Sequence, residues 1–366
     1  MNRLFEKKIE TLIENNTRTV HSGRFKIILP EVFGFCGGVI SALKKLENII
    51  NTGDDIKVYL LGEIIHNPTV NQYFISSGVN IIPESNLDSI FKIAEQDDYI
   101  IIPAFGIPLD LEKKIRVKYK NIVDTTCRNV KSVWDFISLE AKNKSTLILY
   151  GKPGHPEVKA SISRAENDSC IVILPDLETA KYFSFILSNN VLTDLKQSVK
   201  NIPVTTGIRV KNIECFNSKR FALANQTTML YSETIKVEKI IRNTLEKKGS
   251  RLSACNTICR ATHLRQTAAR KICSQTPDLI FVVGGYESSN TLHLYKLAQN
   301  YSSVYYLKDA ESIGDSNIVC FLPEELREVQ MPTKQMLKDT SVIAILAGAS
   351  CPFTVIDKII TKLKAI

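Results

Sequence analysis

A chain of 366 residues is long for one ordinary core, and 44% apolar against 23% charged residues is the balance of a globular protein, which excludes disordered and collagen-like architectures. The net charge of +9, from 47 Lys plus Arg against 38 Asp plus Glu, favours acidic partners. Its bases are scattered as KKIE, KYK, KNK and EKK, which suits a small anion or an acidic electron carrier better than nucleic acid. No window reaches the ~18 consecutive apolar residues of a membrane span and no secretion or transit signal is legible. Nine cysteines, an odd number, are then expected as reduced thiols in a cytoplasmic protein.

In chain order, residues 1–25 carry Phe5, Ile9, Leu12 and Ile13 at helical spacing and predict an amphipathic helical extension. A pattern of strand, loop, cysteine and helix follows as FKIILPEVFGF, Cys36 and GGVISALKKLENII. It is repeated as NIVDTT, Cys127 and RNVKSVWDFISLEAKN, then as SACNTI, Cys259 and RATHLRQTAARKI. After each cysteine comes a second strand running into a polar loop: VYLLGEIIHNPTV, TLILYGKPGHPEV and IFVVGGYESSNTL. His66 lies 30 residues after Cys36, His155 28 after Cys127 and Asn290 31 after Cys259. Third strands lead to Phe105, Thr227 and Ser350, with extra residues around 186–220 in the second copy.

Such a period means repeated supersecondary units, and strands alternating with helices mean parallel sheets whose carboxyl-end loops form the site. The expected fold is therefore α/β, with three pseudo-threefold-related units at 26–120, 121–235 and 236–366 facing one centre.

Three thiols at helix starts have unusual electrostatics, because the positive end of a helix favours thiolate. Soft thiolates select iron–sulfur, zinc or copper(I), and structural zinc normally takes paired C-x-x-C spacings that Cys36, Cys127 and Cys259 lack. A 4Fe–4S cluster on three cysteines leaves one iron open to an oxygen. Cys170, Cys273 and Cys320 sit in apolar runs and read as core; Cys255 is the nearest neighbour of Cys259 and a weaker candidate ligand. His66, Asn67, His155, Thr227, Thr228, Ser288, Ser289, Asn290 and Ser350 supply neutral donors at predicted helix starts, which suits a diphosphate, although Ser, Thr and Asn also serve as plain helix caps. Glu157, two residues after His155, is the carboxylate placed to deliver protons.

GFCGGV, EIIHNPTV, DTTC, GHPEV, NQTTM, NTIC-x-AT-x-x-RQ, SSN and AGAS, in this order from about residue 26 to the end, resemble the hydroxymethylbutenyl diphosphate reductase family, LytB/IspH. EIIHNPTVNQ, IPAFG, ANQTTML and VVGGYESSNT resemble its plant and cyanobacterial branch, whereas GHPEV is the common bacterial form. The resemblance implies a trefoil of three α/β domains around a 4Fe–4S cluster on Cys36, Cys127 and Cys259. It further implies reductive dehydroxylation of 4-hydroxy-3-methylbut-2-enyl diphosphate to isopentenyl and dimethylallyl diphosphate in the non-mevalonate pathway, with Glu157 and Thr227 passing protons. His66, His155, Ser288, Asn290 and Ser350, with Ser289 as a further candidate, would hold the diphosphate, and ferredoxin or flavodoxin would supply electrons.

Two departures stand out. Phe105 replaces a third histidine of the common bacterial enzymes, as in the plant-like branch, and Cys351 follows Ser350. A Cys351 thiolate on the fourth iron would close the site and leave a non-catalytic redox sensor or electron carrier on the same fold.

Overall fold

The computed structural model describes residues 18–52, 57–189 and 194–366. All nine expected strand-to-helix passages are present. The three cysteine passages run from strands Phe25–Ile28, Asn121–Asp124 and Arg251–Ala254 into helices Gly37–Ile50, Arg128–Lys142 and Arg260–Cys273. Apolar spacing explains each helix. In the first, Val39, Ala42, Leu43 and Leu46 form one buried stripe; in the second, Val130, Val133 and Ile137 do the same. The central strands TLILY at 146–150 and LIFVV at 279–283 are buried along their whole length, as parallel strands covered on both faces must be.

The strands form three sheets, and the described chain divides into two compact units. The first unit takes residues up to Lys44, Ile65–Val79 and Arg260–Ile366. Its seven-stranded sheet has a parallel centre in which Phe25–Ile28, Val342–Ala347, Leu279–Val283 and Ser303–Leu307 lie side by side. Antiparallel strands close both edges: Thr19–Ser22 against Phe25–Ile28, and the hairpin Asn317–Leu322 with Arg327–Pro332 against Ser303–Leu307.

The second unit takes Lys45–Ile64 and Asn80–Cys259 and contains two sheets. In one, Val58–Leu61, Tyr99–Ile102 and Asn121–Asp124 run parallel. In the other, Arg251–Ala254, Arg220–Asn225, Thr146–Tyr150 and Ile171–Leu174 run parallel, and Arg209–Lys211 adds an antiparallel edge.

Several expectations change here. The expected parallel strands form the centres of the sheets, and two of the sheets add antiparallel strands at their edges. Strand Phe25–Ile28, expected in the first α/β unit, pairs with Val342–Ala347 of the third, where Ile27 is buried among Leu279, Ile343 and Ile345. Asn121–Asp124, expected to open the segment 121–235, pairs with Tyr99–Ile102 of the segment before it, and Arg251–Ala254, expected in 236–366, pairs with Arg220–Asn225 of 121–235. Phe5, Ile9, Leu12 and Ile13 lie outside the described residues, and Thr19–Ser22, assigned to the helical extension, is a strand. The extra residues near 186–220 contribute the edge strand Arg209–Lys211 and bury Val199 and Ile208 in the core around Val172. No helix among the described residues is long and apolar enough to cross a membrane.

Candidate functional site

Within the first unit, the loops after strands Leu279–Val283 and Val342–Ala347, together with the segment Ile65–Val79, carry most of the expected phosphate ligands. Asn67 caps helix Pro68–Ser76 and donates from Nδ2 to the Ser350 carbonyl at 2.8 Å. The Ser350 hydroxyl lies 3.3 Å from the His66 carbonyl and 3.5 Å from Ser288 Oγ. Ser288 caps helix Ser289–Ala298 by accepting the Thr291 amide and is bonded by the Thr291 hydroxyl at 2.9 Å. Asn290 accepts the Ala349 amide at 3.0 Å and donates to Thr262 Oγ1 at 3.3 Å. Cys36 joins the same group through its amide, which bonds the Ala349 carbonyl at 3.2 Å, while the Val39 amide points at its sulfur from 3.5 Å. His66, Ser288, Asn290, Ser350 and Cys36 are thus brought together by direct bonds; Ser289 is buried beside Ser288 in the first helical turn.

Two glycines that the sequence reading left unassigned make this packing possible. A Cβ on Gly285 would stand 2.5 Å from the His66 carbonyl oxygen, and one on Gly348 would stand 2.0 Å from Thr291 Oγ1. Thr291 and Thr262 were also missed, although both lie inside motifs already noticed, SSNT and ICRAT.

The second unit carries the remaining candidates. Cys127 caps helix Arg128–Lys142; its amide bonds the Ala104 carbonyl at 3.0 Å, and Asn129 Nδ2 lies 3.9 Å from its sulfur. His155 caps helix Pro156–Ile162 with Nδ1, which accepts the Glu157 amide at 3.1 Å. That bond leaves the imidazole proton on Nε2, turning it into a donor. Phe105 packs edge-on against this ring with centroids 5.7 Å apart and gives it apolar support. Glu157, 2% exposed, accepts the Thr227 amide at Oε1 (2.6 Å) and the Thr227 hydroxyl at Oε2 (3.0 Å). The Thr227 carbonyl in turn accepts the amide of Cys259 at 3.1 Å.

All nine cysteines are thiols, and their environments separate them. Cys36, Cys127 and Cys259 are half-buried at helix starts. Burial pushes the thiols of Cys170, Cys320 and Cys351 up to about 12 and that of Cys273 to about 11, so all four stay protonated. Burial also raises Cys255. Cys351 is fully enclosed in the core with Phe33, Val355 and Ile356, and its thiol lies 3.7 Å from the Pro352 carbonyl, which removes it as a ligand that could close the site. No three His, Cys, Asp or Glu side chains among the described residues group tightly enough for a single metal ion. Each of Cys36, Cys127 and Cys259 is a half-buried soft donor, and the sulfurs of Cys36 and Cys127 each have an amide donor nearby, which is the donor chemistry that iron–sulfur groups take.

An α/β protein with half-buried thiols at helix starts and polar loops at the carboxyl ends of its strands is the class these features define. The family model described as "LytB protein" matches residues 27–364. The chain is 34% identical over 378 residues to a curated 4-hydroxy-3-methylbut-2-enyl diphosphate reductase of Prochlorococcus marinus subsp. pastoris, covering 99% of this chain and 91% of that one. It is 32% identical to the reductase of the same name from Gloeothece citriformis, covering 100% and 91%. The fold is shared with the Plasmodium falciparum reductase, "E-1-hydroxy-2-methyl-but-2-enyl-4-diphosphate reductase", at a TM-score of 0.69 and 21% identity over 91% of this chain and 86% of that one. A second solved structure, titled as the terminal enzyme of the non-mevalonate pathway, matches at a TM-score of 0.56 and 24% identity over 93% and 99%. The chain belongs to the LytB family. Both curated relatives are cyanobacterial, in keeping with the branch that its motifs resemble.

Proposed function

We propose that the chain is a 4-hydroxy-3-methylbut-2-enyl diphosphate reductase, which uses two electrons and two protons to expel the allylic hydroxyl as water and leave isopentenyl or dimethylallyl diphosphate. The observation that carries this reading is the Glu157–Thr227 pair, a buried acid held at both oxygens by a residue that also anchors the amide of a candidate ligand, Cys259.

One proton must reach the departing hydroxyl and one the allylic carbon. Glu157 delivers them, and Thr227 Oγ1 relays, because a hydroxyl can accept one proton as it gives up another. His155 offers Nε2–H to the diphosphate, with its ring braced by Phe105. His66, Ser288, Ser289, Asn290 and Ser350 supply the other polar contacts; neutral donors bind the phosphates without a strong counter-charge. Cys36, Cys127 and Cys259 would hold a 4Fe–4S cluster, which when bound supplies electrons singly and leaves one iron without a protein ligand. A net charge of +9 suits an acidic one-electron donor such as ferredoxin or flavodoxin, and nine cysteines held as thiols suit the reducing cytoplasm.

The test is anaerobic. The protein is reconstituted with iron and sulfide, a viologen dye is reduced, and dye oxidation is followed on adding the allylic diphosphate. Oxidation that disappears in Cys127→Ser supports the reading. A formed cluster that leaves the dye reduced overturns it in favour of a carrier or sensor.

A further inference from the structure

We infer that Thr257 is a positioning residue whose hydroxyl sets the distance between Cys259 and the Glu157 carboxylate; the inference rests on the proposed reading of the site. The strand Arg251–Ala254 pairs with Arg220–Asn225 and ends at Ala254, yet the two segments stay in step for five more residues. The Cys255 amide bonds the Leu223 carbonyl at 3.0 Å, and the Cys259 amide bonds the Thr227 carbonyl at 3.1 Å. Between these rungs the Asn225 side chain donates from Nδ2 to the Cys255 carbonyl at 3.5 Å, and the main chain of Asn225 is met by a side chain. Thr257 Oγ1 takes that place, accepting the Asn225 amide at 2.8 Å and donating to the Asn225 carbonyl at 2.5 Å. Residues 255, 257 and 259 thus match 223, 225 and 227 with a period of two, and the middle rung is a side chain.

The ladder ends on the chemistry. Thr227, its last rung, holds both oxygens of Glu157, so any slack at Asn225 is passed to the separation of acid and thiol. Thr257 and Asn225 are both buried, and without the hydroxyl an amide and a carbonyl of Asn225 lose their partner where water has little access. Thr257 touches neither Glu157 nor the Cys259 sulfur in this network. Its part is to hold the two elements in register.

Thr257→Val keeps the branched shape and deletes only the hydroxyl; Thr257→Ser restores it. Hydrogen exchange in the cluster-free protein reads the ladder directly, and iron per chain, kcat and KM are read after reconstitution. Thr257→Val is expected to exchange faster at residues 223–227 and 255–259, to bind as much iron as wild type, and to lose about tenfold in kcat with KM within about twofold. Thr257→Ser is expected to recover both exchange protection and kcat. Thr257→Ala, a second hydroxyl-free variant, is read the same way if valine prevents folding.

Unchanged exchange, unchanged kcat, a rise in KM alone, equal damage from valine and serine, or loss of iron in Thr257→Val would each overturn the inference. An inactive wild type would overturn the reading of the site as well. An active wild type beside a fully active Thr257→Val would overturn this inference alone.

Discussion

Thr227 holds the Glu157 carboxylate at both oxygens, through its backbone amide at 2.6 Å and its hydroxyl at 3.0 Å. A glutamine at 157 keeps the shape but has no acidic proton, and its amide N–H₂ cannot accept the bond now made by one of the carboxylate oxygens. Glu157→Gln should therefore lose about 10²-fold or more in kcat while iron content stays at the wild-type level. Dye oxidation and iron analysis on one preparation check both halves; near-normal turnover would remove Glu157 from proton delivery.

Gly285 has no room for a side chain beside the His66 carbonyl, and its own carbonyl is pinned by the Tyr306 hydroxyl at 2.7 Å. Gly285→Ala should cost about 1–3 kcal/mol of stability through overpacking, and should raise KM for the diphosphate more than it lowers kcat. Thermal unfolding and steady-state kinetics measure the two effects.

Cys351 belongs to the core. Cys351→Ala should leave iron content and turnover unchanged and cost about 1 kcal/mol in denaturant unfolding, since it removes one buried atom and no ligand. Loss of iron would return Cys351 to the candidate ligands.

Asp124 closes the strand that leads to Cys127. Burial alone would raise its pKa, but the Lys131 ammonium at 2.6 Å and the Thr126 amide at 2.9 Å outweigh it, so the carboxyl sits below the usual range. Arg116, 3.8 Å away, adds to the same side. Because the folded pKa is depressed, the stabilisation is complete above the unfolded value of about 3.9 and is lost as pH falls through the folded one. Asp124→Asn should cost about 1 kcal/mol at pH 7, and the gap to wild type should narrow as pH falls below the unfolded value of about 3.9 in unfolding experiments on the cluster-free protein.

Trp134, the chain's one tryptophan, lies under the Arg164 guanidinium at 3.7 Å and against Gly106, where a Cβ would come within 2.2 Å of its ring. Arg164 also bonds the Ile107 carbonyl and Glu112, and is nearly buried. Arg164→Ala should leave Glu112 to Arg116 alone, cost about 2 kcal/mol through the lost charged hydrogen bonds and the lost stacking on the ring, and shift tryptophan emission to the red. An unshifted spectrum would show that the loop around Phe105 does not depend on this clamp.

What could be read from the residues was what is local and repeated. The strand, loop and helix around each of Cys36, Cys127 and Cys259 follow from apolar spacing and a polar helix start, and they appear where the spacing puts them. Periodicity says which face of Phe25–Ile28 is buried but not which sheet buries it, and the choice of Val342–Ala347 more than 300 residues later is made by packing alone. Gly285 and Gly348 were invisible for a related reason: a missing Cβ has meaning only beside the atom it would strike. Cys351 could not be placed by its neighbour alone, because Ser350 faces the polar loops while Cys351 turns into the core.

The pairing of Phe25–Ile28 with Val342–Ala347 also fixes when the protein becomes competent. During synthesis the strand before Cys36 emerges early and has no parallel neighbour until residue 342 leaves the ribosome, and the Cys36 amide has no Ala349 carbonyl to bond. Long-range pairing of this kind is slow to close and leaves an apolar strand uncovered in the interval. The loop that carries Cys36 is accordingly completed only after residue 349 has been made, the proposed loading of iron there would follow translation, and a nascent chain halted before residue 342 would present that thiol on an unfinished loop.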